Sequence, residues 1–156
     1  MSAILGMNCK LYYQTTGTRA AWPGTGPAPN LALIGNVKDL SLDLSVGEAD
    51  VTTRGNNGWK ATLATLKDGS VDFDMVTDAS DTPFTALQTA FLAGTTVAFA
   101  ILNGLSTVTG TQGLWADCTI TNFSQEQNLD GAVTTKVTIK PTYSALAPSW
   151  ITVVAA

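Results

Sequence analysis

The chain has 156 residues, enough for one domain with one core, and its net charge is −4 with eight Lys and Arg scattered along it, so it shows no basic footprint for gripping phosphates. Charged residues make up 13%, against about 25% in typical soluble domains, while 45% of residues are hydrophobic and mean hydropathy is +0.18. So weakly charged a surface points to a protein that covers much of its exterior with other protein, most simply copies of itself, and the longest apolar run, 97–102, is far short of the roughly 20 residues that span a bilayer.

Residues 1–6 place no basic residue ahead of their short apolar patch, and Lys10 falls on the wrong side of it, so they do not read as a secretory leader. Beyond them the apolar residues recur with period two rather than 3.6, which predicts a mainly β fold. The first strand is expected over 8–14. A Gly/Pro-rich span follows over 15–30, including Trp22, Pro23 and Gly24. Structureless connections longer than about 12–15 residues are uncommon unless they bind something, so this loop is expected to lie on a neighbouring subunit.

Over 38–46, Leu40, Leu42, Leu44 and Val46 alternate with Asp39, Ser41, Asp43 and Ser45, which predicts a strand with one face in the core and one in water. A second long loop is expected over 47–58, carrying Glu48, Asp50, Val51, Thr52, Thr53, Arg54, Asn56 and Asn57. Strands over 59–66 and 70–76 are expected to be joined by a turn at Lys67-Asp68-Gly69, since Asp-Gly is a strong hairpin signal. Asp72 and Asp74 share the polar face of the second of these.

One helix is predicted, with Thr82 as its cap, Pro83 in its first turn and Gly94 just past its end. Phe84, Leu87 and Phe91 fall on one face, the side expected to pack on the sheet. Strands over 97–102, 114–123 and 133–139 complete the antiparallel set. No repeat or linker divides the chain, so 1–156 reads as one domain.

There is no histidine, which removes Ser-His-Asp and Cys-His machinery and any imidazole switch. Gly24-Thr25-Gly26 lacks the spacing and the Lys of a phosphate-cradling loop. Asp72, Asp74, Asp78 and Asp81 miss the calcium-loop pattern and read as strand and loop carboxylates. Cys9 and Cys118 belong to no C-x-x-C pair and are expected to be two buried thiols. No enzyme activity, metal or cofactor is therefore expected.

The most specific stretch runs over 36–60: Asn36-Val37-Lys38-Asp39-Leu40-Ser41-Leu42-Asp43-Leu44, then Gly47-Glu48-Ala49-Asp50-Val51-Thr52-Thr53-Arg54, then Gly58-Trp59-Lys60. It resembles the major tail tube protein of long-tailed, non-contractile bacteriophages. Asp72-Phe73-Asp74-Met75, the helix, the strand from Val97 and the closing 133–141 follow in the family's order; the insert over 15–30 has no counterpart in the resemblance. The resemblance implies an antiparallel β-sandwich or small barrel flanked by one helix, and six copies per ring, with the rings stacked into a hollow tube. It also implies a tape-measure protein inside, tail terminator and tail-tip initiator proteins at the ends, and DNA passing through the lumen without specific binding. The location implied is the virion tail, after synthesis in the host cytoplasm.

On that reading the 47–58 loop is the ring-stacking contact, with Asp50 and Arg54 in polar contacts and Thr52 and Thr53 placed for backbone pairing. Asp39, Asp43, Asp72 and Asp74 are candidate lumen residues, since a channel for DNA should not hold phosphates; an outward solvent face satisfies the same alternation. Two other readings stay open. One is the inner tube of a bacterial injection device, with a different cargo; the other is a monomeric β-sandwich binding module presenting Trp22, Trp115 or Trp150, for example to carbohydrate.

Overall fold

The computed structural model describes residues 3–16 and 18–156, so Met1, Ser2 and Gly17, which fall within the 1–6 and 15–30 readings, lie outside the described residues. Eight strands form one antiparallel sheet: β1 (Lys10–Gln14), β2 (Leu31–Leu33), β3 (Val37–Asp50), β4 (Thr62–Val76), β5 (Thr96–Leu102), β6 (Gln112–Glu126), β7 (Thr134–Thr142) and β8 (Ser149–Thr152). Their order is β2-β1-β5-β6-β7-β4-β3, with β8 paired to the first residues of β6. Helix α1 (Thr82–Ala93) links β4 to β5. The mainly antiparallel β architecture with one flanking helix matches the sequence expectation.

Period-two alternation divides the central strands between two cores. Leu11 and Tyr13 of β1, Phe99 and Ile101 of β5, and Ala116 and Cys118 of β6 join Phe73, Val137 and the helix in the larger cluster. Their neighbours in sequence, Tyr12, Ala100 and Trp115, point the other way into a smaller cluster closed by Ala28, Ile151 and Val153. The helix meets the larger core through Phe84 and Leu87, and its Phe91 stacks on Phe123 of β6 at 5.8 Å between ring centroids.

Several local expectations are corrected. Asp68-Gly69 makes no turn: both residues lie inside β4, opposite Ser45 and Leu44. A Cβ at Gly69 would stand 2.7 Å from Leu44 Cδ2, so the glycine serves close strand approach. The β3–β4 turn instead occupies 51–61, where Asn57 and Gly58 take left-handed φ values of 51° and 83°. Asn-Gly thus overrides Asp-Gly, residues 47–50 of the expected loop are strand, and β4 starts at Thr62 rather than at Trp59. Asp81, not Thr82, caps α1, its Oδ2 accepting the Phe84 N–H at 3.3 Å; Gly94 ends the helix with φ 70°.

At the chain start, Gly6–Asn8 is a single 3₁₀ turn and β1 begins at Lys10. Strands β2 and β8 were not expected, being three and four residues long. The last long strand runs on through Pro141, which pairs with Cys118 beyond the end of the β4–β7 ladder and so removes no hydrogen bond from β4.

The cysteines differ from each other. Cys9 is exposed, contrary to expectation, while Cys118 is fully buried between β5 and β7. Burial, helped by the neighbouring Asp117 charge and partly opposed by Arg19, pushes the Cys118 thiol up to about 12. Since the thiolate is the reactive form, iodoacetamide at neutral pH should label Cys9 alone in native protein and both thiols in denaturant. Mass spectrometry of the labelled peptides reads this directly, and native labelling of Cys118 would contradict the packing.

Candidate assembly surface

Beyond Gly69 the β3–β4 hairpin leaves the rest of the sheet: β7 pairs with β4 only from Val71 to Val76, while β3 continues with β4 alone out to Asp50 and Thr62. Both faces of this arm are exposed. Leu44, Val46, Leu63 and Leu66 all meet solvent, Leu66 with 84% of its surface. The apolar side chains expected to face the core from β3 therefore reach it only through Leu42, which is half-buried against Phe73's cluster. The alternation is real, but the described residues supply nothing to cover most of it.

The tip is built by its own short side chains. Asp50 Oδ1 accepts the Thr52 N–H at 2.9 Å, and Thr52 Oγ1 accepts the Ala61 N–H at 2.9 Å. Asn56 Oδ1 accepts from the Thr53 N–H at 2.6 Å, and the Trp59 N–H reaches Asn56 O at 3.0 Å. Hydrogen bonding from Thr52 holds the Asp50 carboxyl below its usual range. Asp50, Thr52, Thr53 and Asn56 thus shape the tip from within. Glu48 is exposed near the end of β3, Val51 and Asn57 are exposed in the turn, and Arg54 and Lys60 make no ion pair among the described residues. Trp59, 80% exposed, is the tip residue the sequence reading missed as a surface group; its position directly after the Asn-Gly turn was the available signal.

Described parts of the 15–30 segment, around Arg19, Trp22 and Ala28, pack on their own chain. Arg19 is 5% exposed and donates from Nε to Asp117 Oδ2 at 3.0 Å and from Nη2 to Leu146 O at 2.7 Å and Ala147 O at 3.1 Å. Ser144 Oγ donates to the same carboxylate oxygen. Trp22 meets Trp115 edge to face at 5.3 Å, and Trp115 Nε1 donates to Ala20 O at 2.9 Å. One side of the loop therefore covers the smaller core; Pro23 is half-buried and Gly24 exposed. Trp115 is buried and offers no platform to a ligand, whereas Trp150 is exposed.

The four candidate lumen carboxylates lie on the β3–β4 sheet. Asp43 stands opposite Ser70, and Asp72 lies between Ser41 and Thr138, whose Oγ1 donates to it at 2.5 Å. Asp74 faces Lys136, so acid and base alternate across this polar side. Asp39 sits in the bulge between Val37 and Leu40. Asp78 closes a turn through Ser80 and Asp81 caps the helix, so the acidic residues have separate local roles. Among the described residues no cluster could hold a metal and no helix is long and apolar enough to cross a membrane.

Against solved structures nearly the whole chain finds counterparts. A chain from the tail of an empty gene transfer agent particle, refined helically with C6 symmetry, superposes with TM-score 0.74 at 16% identity, over 96% of this chain and 99% of that one. The fold is that of a tail tube. The SPP1 tail tube gives TM-score 0.70 at 13% identity, over 97% of this chain and 81% of that one. A chain from the virion of the native gene transfer agent particle gives 0.68 at 14%, over 96% and 99%. No family model and no curated protein matches the sequence. Within this fold, the β3–β4 arm leaves Leu44, Val46, Leu63 and Leu66 exposed along its strands and Trp59 exposed at its tip.

Proposed function

We propose that this protein is a structural subunit that assembles with copies of itself, as stacked six-membered rings, into the hollow tube of a phage-like tail. The observation that carries the reading is the β3–β4 arm, a hairpin that exposes Leu44, Val46, Leu63 and Leu66 across its two faces with no cover among the described residues of its own chain. Fully burying a Leu or Val side chain contributes about 1.5–3 kcal/mol, so Leu44, Val46, Leu63 and Leu66 together favour an arm laid on another subunit. The tail-tube fold and the low charge content agree with it. In such a tube the polar side bearing Asp43, Asp72 and Asp74, with Asp39 at its bulge, is the candidate lumen lining. Its interleaved carboxylates disfavour a grip on DNA phosphates. A tape-measure protein within the tube, terminator and tip proteins at its ends, and residence in the virion belong to the same reading.

Replacing 51–61 by Asn-Gly, which closes the ladder at the Asp50–Thr62 pair, tests it. Neither core contains a residue from 51–61, so the variant should keep the parent's circular dichroism and melting profile. It should also lose the rings or tubes that the parent forms in negative-stain micrographs at high concentration or when seeded. Normal tubes from this variant would remove the tip from assembly, and a parent that stays monomeric in every condition would overturn the reading itself.

A further inference from the structure

We infer that the tip of the arm docks head to tail on the opposite end of a second copy, with Trp59 against Leu129 and Arg54 and Lys60 facing Glu126 and Asp130. This rests on the tube reading and names the receiving surface within it. The tip segment 51–61 contains two cations and no carboxylate, and the nearest one, Asp50, is engaged by Thr52. At the other end of the strands, the loops 77–81 and 126–133 contain Asp78, Asp81, Glu126 and Asp130 and no Lys or Arg. These two loops form one surface, since the Thr77 N–H donates to Val133 O at 2.9 Å and Thr77 and Thr135 share a hydroxyl hydrogen bond at 2.7 Å. The closest cation on β7, Lys136, stands opposite Asp74 inside the sheet.

Each end also presents one large apolar side chain almost wholly to water, Trp59 at 80% and Leu129 at 99%. An exposed aromatic flanked by cations thus matches an exposed aliphatic flanked by carboxylates, the pattern in which apolar anchors supply affinity and the surrounding charges supply register. Asp78 and Asp81 are committed to their own turn and helix cap, which leaves Glu126 and Asp130 as the available acids. No chain can satisfy its own tip: β4 alone separates the two ends by 15 residues, about 45–50 Å at the usual strand rise. The contact is therefore made to another copy, and because the two surfaces differ it is head-to-tail and does not close as a two-fold pair.

Charge exchange in the full-length protein tests the pairing, read by sedimentation velocity and negative-stain microscopy. R54E/K60E and E126K/D130K should each remain folded by circular dichroism and raise the concentration needed for assembly by about tenfold or more. An equimolar mixture of the two should recover assembly, and so should the quadruple variant alone, because each restores opposite charges across the contact. Single-end variants that assemble like the parent would remove this interface while leaving the tube reading intact. Single-end failure that neither the mixture nor the quadruple variant rescues would equally refute direct pairing. If a reversed variant misfolds, R54Q/K60Q and E126Q/D130N take its place, each expected to weaken assembly, and unchanged assembly of both would overturn the proposal.

Discussion

Replacing Arg19 with Met is expected to lower stability by about 3–5 kcal/mol, because it leaves Asp117 as a buried carboxylate without its counter-charge. For a chain of this size that corresponds to a fall in Tm of roughly 6–20 °C. The loss is more than one ion pair. The guanidinium also holds the carbonyls of Leu146 and Ala147 and lies 5.8 Å from the Trp115 ring centre, so three distant segments separate when it goes. The double variant Arg19→Met with Asp117→Leu should recover part of the loss, since removing both partners leaves no uncompensated charge. Thermal and denaturant unfolding followed by circular dichroism check this; a single variant within about 1 kcal/mol of the parent would show that the node does not hold the loop.

Gly113→Ala should be comparably damaging for a different reason. Gly113 pairs with Leu102 of β5 on one side and Ile151 of β8 on the other, and a Cβ there would lie 1.8 Å from Ile101 O. The obstacle is backbone, which has no rotamer to escape into, so the β5–β6 ladder must part beside both cores. A loss of about 3 kcal/mol, at the upper end of overpacking costs, is expected. Gly24→Ala is the control, having nothing within 4 Å of its would-be Cβ and no left-handed φ, and it should change stability by less than about 0.5 kcal/mol. Equal stability of the two variants in urea titrations would contradict the packing at Gly113.

What the sequence made legible follows from the range of the forces involved. The helix was readable because Pro83, Gly94 and the Phe84, Leu87, Phe91 stripe are local signals that agree. The hairpin was misplaced because two Asx-Gly pairs stand eleven residues apart, Asn57-Gly58 and Asp68-Gly69, and only strand pairing decides between them. Leu40, Leu42, Leu44 and Val46 announce an apolar face, but alternation carries no information about whether the cover comes from the same chain or another. Arg19 could not be read at all, since its partner Asp117 is 98 residues away and a single Arg in a Gly/Pro-rich loop resembles a solvated charge. At the assembly surface, the expected 47–58 loop overlaps the observed 51–61 turn only in part, since 47–50 continue β3. Its division of labour was not legible, because whether Asp50 and Thr52 bond inward or outward depends on turn geometry.

β3 is the outermost strand of the sheet. It is 14 residues long, contains no proline and has no partner on its outer side among the described residues, the kind of edge that recruits other strands indiscriminately. Yet Asp39, Asp43, Glu48 and Asp50 lie along it with only Lys38 to offset them. Two such edges approaching each other in solution bring four carboxylates against four carboxylates, so the strand that ends the sheet guards the free subunit against amyloid-like growth.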